Sequence, residues 1–148
     1  MNLDAAFDGI SKLYVDSAPL IYYVEEHIAY VDQMEYILNI VDNTSIEVVS
    51  SVLTLAEVLV LPVRTGAHQV AQLYRAILMN RETCTLAVIS ENIAIEAASI
   101  RARYRNNTPD ALHIASAIEF RCDAFLTNDH KLRAVQELNV LVLDELEL

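Results

Sequence analysis

Hydrophobic positions along this chain switch period repeatedly, from short apolar runs suited to strands to the three-and-four spacing of helices. Leu13-Tyr14-Val15 is such a run and ends at Asp16-Ser17. Pro19 then falls where the pattern predicts the first turn of a helix through Tyr22-Tyr23-Val24, a place where a missing N–H costs nothing. A second helix is predicted over residues 29–41, with Val31, Met34, Tyr36, Ile37, Leu38 and Val41 on its apolar face. The segment 47–51 is rich in β-formers, and Thr54 stands where it would cap the next helix. Glu57, three residues later, completes a capping-box pattern in the first turn. Pro62 and Gly66 mark a break, and residues 67–80 read as another helix.

The second half repeats this rhythm. Residues 83–88 read as extended, and Ser90 caps a helix over 91–104. Thr108-Pro109 opens a helix through Phe120, 124–126 is a strand, and Thr127-Asn128 is a turn. A short helix over 130–138 and a last strand over 140–143 complete the chain. Strands alternating with helices predict an α/β fold around a parallel, helix-flanked sheet. At 148 residues, without repeats or a linker-like stretch, the chain is expected to be a single domain over 1–148. Glycine occurs only twice, as Gly9 and Gly66, which excludes phosphate-cradling P-loops and dinucleotide-binding turns.

Composition changes this picture in two ways. Hydrophobic residues make up 54% of the chain and mean hydropathy is +0.29, yet charges interrupt every apolar run. No stretch reaches the ~20 apolar residues of a membrane span, and the first ten residues lack the basic start of a secretory signal. A cytoplasmic protein with no membrane association is expected, its apolar excess serving a thick core and a protein-binding surface. Cys84 and Cys122 lie outside any CxxC pair and read as buried free thiols, and the four histidines lack zinc-ligand spacing. The net charge of −11 argues at first against a nucleic-acid partner. Its distribution weakens that argument: residues 1–60 carry ten acids and only Lys12, whereas 61–133 carry nine bases against seven acids.

Four acids hold equivalent places on this map. Asp16 ends the first strand, Glu57 and Asp110 open helices, and Asp129 follows the strand 124–126. In open parallel sheets ligands bind at the carboxyl ends of the strands, where these four points can converge. Each acid alone also reads as a helix cap or first-turn residue. Together they suit Mg²⁺ or Mn²⁺, which prefer carboxylate and water oxygens and leave positions open for a phosphate.

The segments YVDSAPLIYYVE, TLAEVL, TPDALHIASAIE and LTNDHKL resemble, in order and spacing, the signature segments of the PIN-domain family, particularly its VapC-type toxin nucleases. The resemblance spans residues 13–142. It implies a PIN-like fold, a central parallel sheet with helices on both sides. It also implies a Mg²⁺- or Mn²⁺-dependent endoribonuclease, the toxin of a toxin–antitoxin pair, that cleaves RNA phosphodiesters. By motif position Asp16, Glu57, Asp110 and Asp129 would be catalytic metal ligands, with Ser17 and Thr127 as supporting hydroxyls. Asn128 fills a variable slot, and Ser116 replaces a small Ala as a packing variation. A homodimer is expected, with an antitoxin lying along the apolar, tyrosine-bearing stretch 19–40.

Other residues are read more plainly. Arg101 and Arg105 share a helix face ahead of Asp110 and are candidate RNA contacts, or simply a solvated helix end. His113, one turn after Asp110, is expected as a core or site-supporting histidine, and His130 as exposed. A dehalogenase-type phosphatase would need an acid at position 18, which is Ala, and a phospho-accepting receiver would need a late lysine where Asn128-Asp129 stands. The remaining alternative is a PIN-fold interaction protein with weak or no catalysis.

Overall fold

Alternate residues of the central strands face opposite sides of one sheet, and both sides are covered by helices. In the computed structural model, which describes residues 1–148, the strands are β1 (Lys12–Val15), β2 (Glu47–Ser51), β3 (Thr85–Ala87), β4 (Ala124–Thr127) and β5 (Asn139–Val142). All neighbours run parallel, in the order β3-β2-β1-β4-β5. Seven helices flank them: α1 (Leu3–Phe7), α2 (Ser17–Val24), α3 (Val31–Thr44), α4 (Val52–Thr65), α5 (His68–Leu78), α6 (Glu91–Tyr104) and α7 (Thr108–Glu119). This is the helix-flanked parallel α/β sheet that the alternating pattern predicts.

The core is divided by the sheet. Leu13, Ala124, Leu126 and Leu141 pack against Leu3 and Phe7 of α1 and Met34, Ile37 and Val41 of α3. On the opposite face Tyr14, Val49 and Phe125 meet Ile93, Ala97 and Ile100 of α6 and the small residues Ala111, Ala115 and Ala117 of α7. A third cluster joins Leu20, Val58, Tyr74 and Leu78 under α2, α4 and α5. Ser116 is buried and its hydroxyl donates back to the Leu112 carbonyl at 2.7 Å, so the extra oxygen is satisfied within α7. Cys84 and Cys122 are buried and unbridged, and burial pushes their thiols up to about 11 and about 12.

Several boundaries differ from the sequence reading. The strand 47–51 ends directly in α4, so Ser51, not Thr54, is the N-cap; its hydroxyl accepts from the Thr54 N–H. Glu57 therefore sits in the second turn and is not a capping-box acid. Pro62 lies inside α4 without ending it, because the helix stops only at Gly66, whose φ of 70° supplies the left-handed cap. Residues 130–138 form no α-helix: a 3-10 turn, His130–Ala134, stops as Leu132 and Val135 turn into the core. The extended segment near 83–88 shortens to β3, and α1 carries too few residues to produce a readable period.

Candidate active site

The strand order itself creates the site. The chain builds outward from β1 through β2 to β3, then returns to place β4 on the other side of β1. The carboxyl ends of β1 and β4 thus flank the point where the order reverses, with Val15 opposite Leu126. Crevices form at such points in open α/β sheets because the connections leave in opposite directions.

Asp16 leaves β1 into this crevice and caps α2, one carboxylate oxygen accepting from Ser17 N–H at 2.8 Å. Its other oxygen accepts from the Thr127 hydroxyl, also at 2.8 Å, which ties the ends of β1 and β4 together. The same Thr127 oxygen accepts the Asp129 N–H at 3.1 Å, so one buried threonine orients both acids. Asp129 in turn caps the following 3-10 turn through Lys131 N–H. Ser17 donates its hydroxyl to Glu57 at 2.8 Å. Both supporting hydroxyls named from the motif positions thus engage the acids named with them.

Asp110 stands apart in its bonding. The Asn107 side chain caps α7 by accepting the Asp110 N–H at 2.8 Å, but no donor of the protein reaches the Asp110 carboxylate. Burial raises its pKa above the ordinary carboxylate value, and the negative charges of Asp16, Asp129 and Glu57 raise it further. His113 offsets part of this. That pattern puts Asp110 within electrostatic reach of Asp16, Asp129 and Glu57.

Sequence reasoning expects His113 as a core or site-supporting histidine, and the structure places it beside Glu57 and Asp16. Buried to 2% exposure, its Nε2 donates to Glu57 Oε1 at 2.5 Å and lies 3.7 Å from Asp16 Oδ1. Nδ1 is 2.8 Å from the Tyr14 hydroxyl, which donates onward to Ser51 Oγ at 3.1 Å. Burial opposes a charge on the ring, but the Glu57 hydrogen bond and the charges of Asp16, Glu57 and Asp110 prevail and hold its pKa above the usual value. Glu57 responds in kind: burial pushes it up, while His113 and the Ser17 hydroxyl hold it below the ordinary value. The available signal was spacing, since His113 follows Asp110 by three residues and shares its helix face. Tyr14 and Ser51 had no comparable signal, because their partner lies far along the chain.

A divalent cation fits this donor set. The donors are carboxylate and hydroxyl oxygens and the charges of Asp16, Asp129 and Glu57 all bear on Asp110, although no three His, Cys, Asp or Glu side chains close around a single point as they stand. Mg²⁺ keeps several waters and takes one or two carboxylates plus substrate phosphate, so a site here would not need all four acids at once. Arg101 and Arg105 do not share a helix face as expected. Arg105 is the left-handed C-cap of α6 at φ 58°, and Arg101 turns its Nε to the Asn106 carbonyl at 3.0 Å. Both remain exposed beside the loop that leads to Asp110. His130 is exposed, as expected, and hydrogen-bonds Asp144 at 2.9 Å.

Comparison with known proteins agrees with this architecture. The family model described as PIN domain matches residues 13–138. No curated protein matches the sequence. A VapBC2 structure from Rickettsia felis, bound to a DNA fragment from its promoter, is similar with a TM-score of 0.73 at 15% identity, over 88% of this chain and 98% of that one. A toxin–antitoxin complex from Klebsiella pneumoniae gives 0.65 at 19% identity, over 88% and 97%. VapC20 of Mycobacterium tuberculosis, a sarcin-ricin loop cleaving toxin, gives 0.67 at 16%, over 82% and 93%. At these identities the likeness concerns the fold.

Proposed function

This chain belongs to the PIN domain family, and on that premise we propose that it is a divalent-metal-dependent endoribonuclease acting as the toxin of a toxin–antitoxin pair. The observation that carries the proposal is the gathering of four carboxylates, from the ends of two strands and two different helices, around an Asp110 that its neighbours' charges push up. Asp16, Asp110, Asp129 and Glu57 would hold Mg²⁺ or Mn²⁺. Such an ion, once bound, polarises a phosphoryl oxygen and makes a coordinated water more acidic.

The protein's own groups divide the remaining work. Thr127 and Ser17 fix Asp16 and Glu57, so little reorientation is needed when substrate arrives. The amino-terminal ends of α2 and α7, behind Asp16 and Asp110, place positive dipole ends toward the crevice and favour a phosphate there. Arg101 and Arg105 supply exposed cations for the flanking RNA backbone.

The inhibitory partner in this reading is an antitoxin segment seated against α2 and α3. A cavity of about 570 Å³ lined by Leu20, Tyr23, Met34, Leu38 and Ile77 supports that location. The exposed apolar residues Val60, Leu61 and Val63 of α4 and Leu73 of α5 support a homodimer. The proposed substrate is RNA of the cytoplasm. No helix of the chain is long and apolar enough to cross a membrane. The decisive experiment is cleavage of single-stranded RNA by the purified chain with Mn²⁺ or with EDTA, alongside Asp16→Asn. Cleavage that needs Mn²⁺ and disappears in the variant is expected. Cleavage that survives EDTA, or full activity in Asp16→Asn, overturns the reading.

A further inference from the structure

Tyr14, Ser51, Thr54 and His113 form a polar group inside an apolar core, each no more than 2% exposed. Burying such groups is costly unless they are hydrogen-bonded, and Thr54 Oγ1 has no hydrogen-bond partner. The chain Ser51–Tyr14–His113 ends on one atom, Glu57 Oε1. That oxygen also accepts from Ser17, whereas Oε2 receives no hydrogen bond from the protein.

We infer that His113, braced by Tyr14, is the positioning residue that holds the Glu57 carboxylate by Oε1 and leaves Oε2 for the cation; this rests on the nuclease reading. Glu57 projects from the second turn of α4 with its side chain 38% exposed, and three rotatable bonds separate the carboxylate from the backbone. Ser17 alone restrains it from one side. His113 restrains it from the other, and its ring cannot turn because Tyr14 holds Nδ1. Tyr14 is itself fixed by stacking on Phe125 at 5.0 Å with rings 5° from parallel. The restraint therefore passes through β1, β2 and α7, elements rigid enough to keep a ligand in place before the ion arrives.

The test compares His113→Leu, His113→Gln and Tyr14→Phe with the native chain. Three quantities are measured: Mn²⁺ affinity by calorimetry without RNA, kcat and KM for an RNA oligonucleotide, and melting temperature. Partners that orient ligands typically cost about 10–100-fold in metal affinity or activity when removed. His113→Leu is expected to lose Mn²⁺ affinity and kcat on that scale while KM holds. His113→Gln, whose amide N–H reaches toward Glu57, recovers most of the loss, and Tyr14→Phe falls between. Adding Glu57→Ala to His113→Leu costs nothing beyond Glu57→Ala alone, because both changes act on one carboxylate. A folded His113→Leu with native Mn²⁺ affinity and kcat overturns the inference. So does a His113→Gln no better than His113→Leu, with losses that follow melting temperature. If the native chain neither binds Mn²⁺ nor cleaves RNA, the nuclease reading fails, and this inference with it. Where the native chain does both, the His113 variants alone decide whether the histidine positions Glu57.

Discussion

The two ends of the sheet use carboxylates in opposite ways. At the amino end Asp123, just before β4, accepts from Ser11 N–H, the Ser11 hydroxyl and Lys12 N–H at 2.8–2.9 Å. Its own N–H returns to the Lys12 carbonyl at 2.8 Å. These backbone and hydroxyl donors hold its pKa below the ordinary value. At the carboxyl end Asp110 has no donor on its carboxylate and is raised by burial and by three neighbouring acids. One aspartate satisfies the backbone and fastens β1 to β4; the other leaves charge uncompensated. Favourable electrostatics at one end and unfavourable electrostatics at the other distinguish a clamp from a candidate ligand site.

The largest expected effect separates the two ends by activity. Asp16→Asn, which keeps the side chain's shape and one acceptor oxygen, is expected to lower Mn²⁺-dependent RNA cleavage by on the order of 10²-fold or more. Asp123→Asn should leave the rate unchanged, since it lies at the far end of the strands. Rate measurements on both variants decide it. A fall of equal size in Asp123→Asn would mean that the clamp sets the geometry of the site and that the two ends are not independent.

Stability should separate them by sign. Asp110→Asn removes a repelled charge and should raise the metal-free melting temperature, whereas Asp123→Ala removes an acceptor from three donors and should lower it. A change of about 1 kcal/mol corresponds to roughly 2–4 °C for a chain of this size. The pH dependence follows from the directions of the shifts. Asp123 is depressed in the fold, so its contribution is present above the unfolded value near ~3.9 and is lost as pH falls through the lower folded value. Asp110 is raised, so its penalty is fully present above the folded value and disappears as pH falls toward ~3.9. Melting curves across mildly acidic pH should therefore show native and Asp110→Asn converging before native and Asp123→Ala do. Convergence in the reverse order would contradict the contrast.

Much of the carboxyl end was legible in the sequence, and almost none of the amino end. Asp16, Asp110 and Asp129 each sit beside a local signal: a strand ending, a Thr-Pro helix start, a turn after an apolar run. Local signals survive in a single chain because backbone preferences act over a few residues. Glu57 stands out by its place after the second strand and by the TLAEVL segment, and a capping-box reading competes with that. The capping-box pattern is present in the letters, but β2 runs directly into α4 and Ser51 is the cap, which puts Glu57 in the second turn. Asp123 and Tyr14 carry no local mark, as their partners are 112 and 99 residues distant and meet only when the sheet assembles. The gathering of acids at the switch point follows from strand order, which periodicity does not encode.

The smallest expected effect concerns how an acidic chain grips an anion. The carboxyl end concentrates negative charge, so RNA binding should draw on the few exposed cations beside it, Arg101 and Arg105. Arg121, exposed at the end of α7 remote from Asp110, provides the matched control at the amino end. Each phosphate contact to single-stranded nucleic acid contributes about 0.7 to the slope of log affinity against log salt. Arg105→Gln should weaken binding of an RNA oligonucleotide in the Asp110→Asn background, which is expected not to cleave it, and should reduce that slope by about one contact's worth. Arg121→Gln should leave affinity and slope alone. Because Arg101 is partly engaged by the Asn106 carbonyl, its substitution should matter less than that of Arg105. Equal slopes for all three variants would show that the substrate is held by the acidic crevice and its cation, with no share for the surface arginines.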